Sequence, residues 1–199
     1  PYGRTKLQGE QILLDFAEAQ RRAGREFACT FLRYFNVCGC DRSGLLGEDH
    51  EPETHLIPVV LRTALKQREY IGIFGTDYDT PDGTCIRDYV HVEDLVDAHV
   101  LAMGRMQPGV VNAFNVGIGR GYSVRQIIES ARRVTGREIP VREMPRRAGD
   151  PPQVYNNPRK IQQELGWNAQ ITDLDEMIRT AWTWFEQHPN GYRSTVARR

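Results

Sequence analysis

The sequence predicts an α/β protein in which strands and helices alternate from end to end. Three observations carry that prediction. Segments with apolar residues at helical spacing recur along the chain, parted by short runs rich in β-branched or aromatic residues. The run Phe27 to Val37 (FACTFLRYFNV) contains no breaker and reads as a buried strand of a covered parallel sheet. Helix ends are signposted by caps and glycines, as expected where short connections join packed elements.

In chain order, Tyr2 to about Arg22 reads as a helix, with Leu7, Ile12, Leu13, Phe16 and Ala17 as a rough apolar stripe and Gly24 as its stop. The strand over Phe27 to Val37 follows, then a glycine-punctuated loop from Gly39 to Glu53. His55 to about Lys66 returns to helical spacing, with Pro58 tolerable only in the first turn. Tyr70 to Phe74 reads as a short strand, and Gly75 to Gly83 as a polar loop closed by the turn pair Asp82-Gly83. Ile86 to His91 alternates like a strand, and Glu93 to Met106 is helical. Ala113 to Val116 is a strand, and Gly117, Gly119 and Gly121 mark a tight connection.

Ser123 with Gln126 forms a capping box ahead of the helix Val124 to Thr135, which Gly136 closes. Ile139 to Glu143 reads as a strand and Pro145 to Asn157 as a polar loop. Pro158 opens a short helix that ends near Gly166. Asp173 with Glu176 makes a second capping box, opening a last helix that contains Trp182, Trp184 and Phe185.

Composition narrows the class. Of 199 residues, 40% are hydrophobic and 26% charged, enough apolar material for a core and too much for a disordered chain. Lys+Arg and Asp+Glu balance at 26 each, so neither a nucleic-acid nor a membrane partner is expected. No apolar run approaches a bilayer span. The opening PYGRTK has neither a signal peptide's pattern nor a methionine, so the chain is expected to continue a longer protein. Cys29, Cys38, Cys40 and Cys85 form no CxxC pair; they read as buried thiols in a reducing cytoplasm, and no metal site is expected.

Tyr2 and Lys6 stand four apart on the first helix, so both project from one face. A free tyrosine titrates near ~10 and is a poor base at neutral pH, and an ammonium one turn away favours its phenolate. Such a pair suits acid–base work, although Y-x-x-x-K alone is common on surface helices. A dinucleotide-binding G-x-G-x-x-G turn is missing from the sequence. Gly117-Ile118-Gly119-Arg120-Gly121 is the nearest approach, but its spacing is wrong and it reads as a turn.

The order of PYGRTK, LRYFNVCG, IFGTDYDTPDGTCIRDYVHVEDL, FNVGIGRGYSV, PRRAGD and ELGW resembles the UDP-glucose (galactose) 4-epimerase family of extended short-chain dehydrogenases/reductases. The resemblance covers essentially the whole chain, and Ile73 to Leu95, with its DYDTPDGT insertion, is the most specific part. It implies the C-terminal part of a doubly wound, NAD-binding Rossmann fold followed by a smaller α/β substrate-binding domain. Residues 1–37 would supply the tyrosine helix and following strand of the Rossmann domain. Residues 38–199 would be mostly the UDP-sugar domain, with 86–116 returning to the Rossmann sheet.

The resemblance also implies roles. Tyr2 would be the acid/base at the sugar 4-hydroxyl, in a reaction that passes through a 4-keto sugar. Lys6 would hold the nicotinamide ribose, with Tyr34 and Phe35 beside the nicotinamide and Asn36 at the nucleotide phosphates. Arg87 and Arg147 would meet the diphosphate, which guanidinium forks suit. Asp150 would accept the uridine ribose hydroxyls, and Gly72 and Phe74 would lie against uracil. His55-Leu56 falls where better-known members carry Asn-Leu. Val154 falls at a position whose size gates N-acetylated sugars, so UDP-GlcNAc and UDP-GalNAc join the expected substrates. The family's glycine turn, its ribose-binding acid and its upstream Ser or Thr would precede residue 1, so the chain is expected to be inactive alone. A homodimer is expected of the full-length protein.

Other readings compete. An enzyme for another UDP-sugar, such as a UDP-pentose, would share the scaffold, and a non-catalytic UDP-sugar-binding module would need no NAD. Arg87 could instead pair with Asp88 or Asp94. Arg146 and Arg147 beside Gly149 and Asp150 could be a solvated turn. His91 and His99 read as core or helix-surface residues.

Overall fold

The computed structural model describes residues 2–192. The first helix, α1 (Tyr2–Arg22), ends at Gly24, whose φ of +70° a side chain rarely adopts. The strand expected over Phe27 to Val37 is two strands, β1 (Cys29–Tyr34) and β2 (Asn36–Cys38), because the chain changes partner at Phe35. After the loop comes α2 (Leu56–Ala64), with Pro58 in its first turn, where a missing N–H costs nothing. Then follow β3 (Ile71–Phe74), β4 (Ile86–Arg87), β5 (Tyr89–His91) and α3 (Val92–Gly104).

The remainder is β6 (Val111–Val116), β7 (Tyr122–Ser123), α4 (Val124–Thr135), β8 (Val141–Met144), β9 (Gln153–Val154), α5 (Arg159–Leu165) and α6 (Leu174–Gln187). The capping box at Ser123 and Gln126 is complete, and Gly136 closes α4 at φ +63°. At α6 only half of the expected box forms: Asp173 accepts the Glu176 N–H.

The fold is α/β, with strands paired mainly in parallel. β1 pairs with β6, β2 with β5 and β3 with β8, all parallel; β4 lies between antiparallel β7 and parallel β9. Two strands fall where no strand was expected, β7 and β9, each two residues long and held only by β4. The expected strand Ile86 to His91 breaks at Asp88. That buried carboxylate accepts the N–H groups of Ile118, Gly119 and Asn156, so it gathers the glycine turn and the end of β9 around itself.

The larger core lies between α2, α4 and α6 and includes Val60, Leu61, Ile127, Ile128, Met177 and Trp184. A smaller one joins Val90, Leu95, Phe114, Val116, Ile161 and Trp167. Each is anchored by an indole N–H that finds a carbonyl, Trp184 at Glu48 (3.2 Å) and Trp167 at Asp94 (2.9 Å). No helix among the described residues is long and apolar enough to cross a membrane.

Candidate active site

Two cavities open on either side of the segment Asn36–Val37, which lines both. The first, of about 700 Å³, is built on β3, on β4 and on the entry to α2. It brings together Asn36, His55, Leu56, Gly72, Phe74, Arg87, Arg147 and Asp150, eight of the residues singled out in the sequence. The second, of about 1000 Å³, receives Tyr2, Tyr34 and Phe35 and shares Asn36 and His55. Lys6 and Val154 line neither cavity.

Arg87 ends β4, and its guanidinium Nη1 donates to the Ile86 carbonyl at 2.8 Å. Its Nη2 reaches Asp150 Oδ1 at 3.5 Å, the limit of a hydrogen bond. The alternative partners are committed elsewhere: Asp88 to the three backbone N–H groups above, and Asp94 to those of Gln170 (3.0 Å) and Ile171 (2.9 Å). Arg147 lies over the Phe74 ring, 4.5 Å from its centroid, while its Nε meets Asp150 Oδ2 at 3.2 Å. Asp150 therefore faces two guanidinium groups at once.

Arg146 turns to another partner. It pairs with Asp77 at 2.7 Å and covers Tyr78, and the Asp77 carboxyl is held below its usual range chiefly by that hydrogen bond. Of the adjacent arginines, Arg147 is the one presented to the cavity. At Gly72 a Cβ would come within 3.3 Å of Met144 and 3.4 Å of the Phe74 ring, so the absent side chain keeps the wall beside that ring clear. Asn36 Nδ2 donates to the Asp88 carbonyl at 3.1 Å, which fixes its amide at the start of β2.

Tyr2 is 75% exposed at the mouth of the second cavity, and the Lys6 ammonium lies 5.3 Å from its ring centroid, as the four-residue spacing requires. The Tyr34 ring tilts against His99, 6.2 Å between centroids. His99 itself bonds to the Leu95 carbonyl one turn back, and His91 is wholly buried. Val154 stands in register with Arg87 on the neighbouring strand.

The first cavity also recruits residues that no motif had flagged, among them Glu53, Tyr70 and Met144. Glu53 matters most, being a buried carboxylate whose Oε2 has no hydrogen-bond partner. Its only local sign was its place between two histidines.

Residues 1–117 match the NAD dependent epimerase/dehydratase family. The chain belongs to that family. Over 193 residues it is 48% identical to the UDP-glucose 4-epimerase of Halalkalibacterium halodurans, covering 96% of this chain and 56% of the relative. It is 45% identical over 196 residues to a probable UDP-arabinose 4-epimerase of Oryza sativa, covering 96% of this chain and 46% of the relative. The crystal structure of UDP-glucose 4-epimerase from Bifidobacterium longum in complex with NAD+ and UDP superposes with a TM-score of 0.89 at 40% identity. That match covers 96% of this chain and 56% of the other. The chain thus spans about half the length of the family members it matches.

Proposed function

We propose that this chain carries the UDP-sugar-binding part of an NAD-dependent UDP-glucose/UDP-galactose 4-epimerase. The observation that supports it most is the convergence of Arg87, Arg147, Asp150, Gly72 and Phe74 on one cavity. Two forked cations beside a ring and a side-chain-free wall suit a nucleoside diphosphate, with the diphosphate on the guanidinium groups and uracil against Gly72 and Phe74. The loose contact of Arg87 with Asp150 leaves its Nη2 available to phosphate oxygens. Asp150 then turns to the ribose hydroxyls, and Asn36 and His55, which line both cavities, sit between nucleotide and sugar.

The residues present suit the nicotinamide end of NAD: Tyr2, Tyr34 and Phe35 share the second cavity, with Lys6 one turn from Tyr2. The 199 residues hold no phosphate-binding glycine turn, so the chain is inactive by itself on this reading. When bound, NAD supplies the acceptor and donor of hydride. Tyr2 Oη takes the proton of the sugar 4-hydroxyl and returns it, while the Lys6 ammonium steadies the phenolate and the cofactor ribose.

The parallel ladders β1·β6 and β2·β5 support assigning residues 1–37 and most of 86–116 to a Rossmann sheet, with 38–199 otherwise forming the UDP-sugar domain. The exposed stripe of α1 supports a homodimer or a further segment covering it. Four free cysteines support a reducing, cytoplasmic setting. The small side chain of Val154, although it lines neither cavity, motivates extending the substrates to UDP-GlcNAc and UDP-GalNAc. The likeness to a UDP-arabinose 4-epimerase favours a UDP-pentose as the second reading.

Calorimetry with UDP and with NAD on the purified chain tests this. Saturable UDP binding is expected without NAD binding, and Arg87→Ala should weaken UDP about tenfold or more, the loss of a charge-assisted pair. UDP affinity that ignores both Arg87→Ala and Arg147→Ala would overturn the assignment of the cavity.

A further inference from the structure

The loop before α2 reads Gly47-Glu48-Asp49-His50-Glu51-Pro52-Glu53-Thr54-His55, which concentrates carboxylates and imidazoles in nine residues. Folded, three of them converge. His55 Nδ1 lies 2.9 Å from Glu53 Oε1, and His50 Nδ1 lies 3.8 Å from the same oxygen. One nitrogen or oxygen from each of His50, Glu53 and His55 stands within 4.8 Å of the others. Glu48 borders the group, its Oε1 3.4 Å from His55 Nδ1.

Hydrogen bonding leaves this cluster unbalanced. The Glu53 side chain is only 1% exposed, and its Oε2 accepts no hydrogen bond, a costly state for a buried carboxylate. Glu48 is a second acid beside it, at the His55 ring. A cation between the imidazoles and these carboxylates would neutralise the buried Glu53 charge and the Glu48 charge beside it.

We infer that His50, Glu53 and His55, with Glu48 at the edge, form a binding site for one divalent transition-metal ion of the zinc type. Mixed imidazole and carboxylate donors select this class over calcium or magnesium, which take oxygen shells. In a tetrahedral site with bonds of about 2.1 Å, neighbouring donors stand roughly 3.4 Å apart. The separations of 2.9, 3.4 and 3.8 Å bracket that value, so side-chain rotation suffices to load the site. The ion would staple the loop to the start of α2, where His55 is the N-cap residue but its side chain makes no capping bond. This inference stands on the cluster's geometry and not on UDP recognition.

Untagged chain, stripped with a chelator, is titrated with Co²⁺ and followed by its visible absorption, then with Zn²⁺ in competition with a chromophoric chelator. One ion per chain is expected, without the near-ultraviolet thiolate band that cysteine ligation would give. His50→Gln should weaken binding at least tenfold with an unchanged thermal melt, since His50 is half exposed and meets the cluster only at 3.8 Å. His55→Gln should weaken it further. Absence of saturable binding to chain that melts cooperatively would overturn the site. So would a thiolate band, or Zn²⁺ affinity indifferent to both substitutions. None of these readouts uses UDP, so the site and the reading of the cavity at Arg87 and Arg147 fail separately.

Discussion

Helices α4 and α1 meet different surroundings with comparable apolar material. In α4, Ile127, Ile128 and Ala131 are buried between α2 and α6, and polar residues take the outside. In α1, every described residue is at least partly exposed, and Leu7, Ile12, Leu13, Leu14 and Phe16 all face out. α3 sides with α1, exposing Val96, Val100 and Met103. A Glu10–Arg33 ion pair and an edge contact of Phe16 with Phe27 (5.0 Å) hold α1 to its neighbours. The contrast teaches that this chain has a closed side, stabilised by its own burial, and an open side whose apolar stripe has little of this chain to cover it. The diphosphate-type cavity belongs to the closed side, and Tyr2 to the open one.

The largest expected effect sharpens that contrast. Trp184→Ala removes a 1% exposed indole from the closed side and should cost about 3–5 kcal/mol in urea unfolding. Ile12→Ala on α1 should change stability by no more than about 0.5 kcal/mol. A large penalty at Ile12, rising with protein concentration, would break the comparison by showing the stripe covered through self-association.

A smaller effect probes how tightly the closed side is filled. A Cβ at Gly47 would fall 2.0 Å from the Trp184 ring, so Gly47→Ala forces the indole or the loop aside. The expected cost is about 1–3 kcal/mol, the range for overpacking. Neutral behaviour in the same unfolding assay would mean that the loop yields freely and that Trp184 is less confined than its burial indicates.

These contrasts also mark what was legible in the sequence. Local signals sufficed for the end of α1, which stops where Gly24 requires, and for α4 with its capping box and glycine. The cavity residues Arg87, Arg147, Asp150, Gly72 and Phe74 were named from motifs, and they converge. Pairing between distant segments was not legible. The break at Phe35 follows from a change of partner between β6 and β5, and the break at Asp88 from N–H groups about 30 and 68 residues away. β9 hides in a polar loop because only its ladder to Arg87 makes it a strand. His50, Glu53 and His55 were close in sequence from the start, but burial of Glu53 is what turns a polar loop into a charge cluster.

The smallest effect concerns the joint between the two sides. His91 caps α3, on the open side, by accepting the Glu93 N–H at Nδ1 (3.2 Å), while Nε2 meets Thr180 of α6, on the closed side, at 3.0 Å. Nδ1 as acceptor requires the neutral ring with its proton on Nε2, which Thr180 Oγ1 can accept. Burial lowers the pKa of His91 below the ordinary histidine value. The unfolded chain then binds this proton at a higher pH than the native state does. The stability contributed by neutral His91 is therefore complete above about pH 6.5 and is lost as pH falls from there through the folded pKa. Urea midpoints measured at descending pH should decline over that window, and His91→Gln should flatten the decline while lowering stability throughout. An undiminished slope in the variant would assign the pH dependence to other groups and would leave the joint between α3 and α6 resting on packing alone.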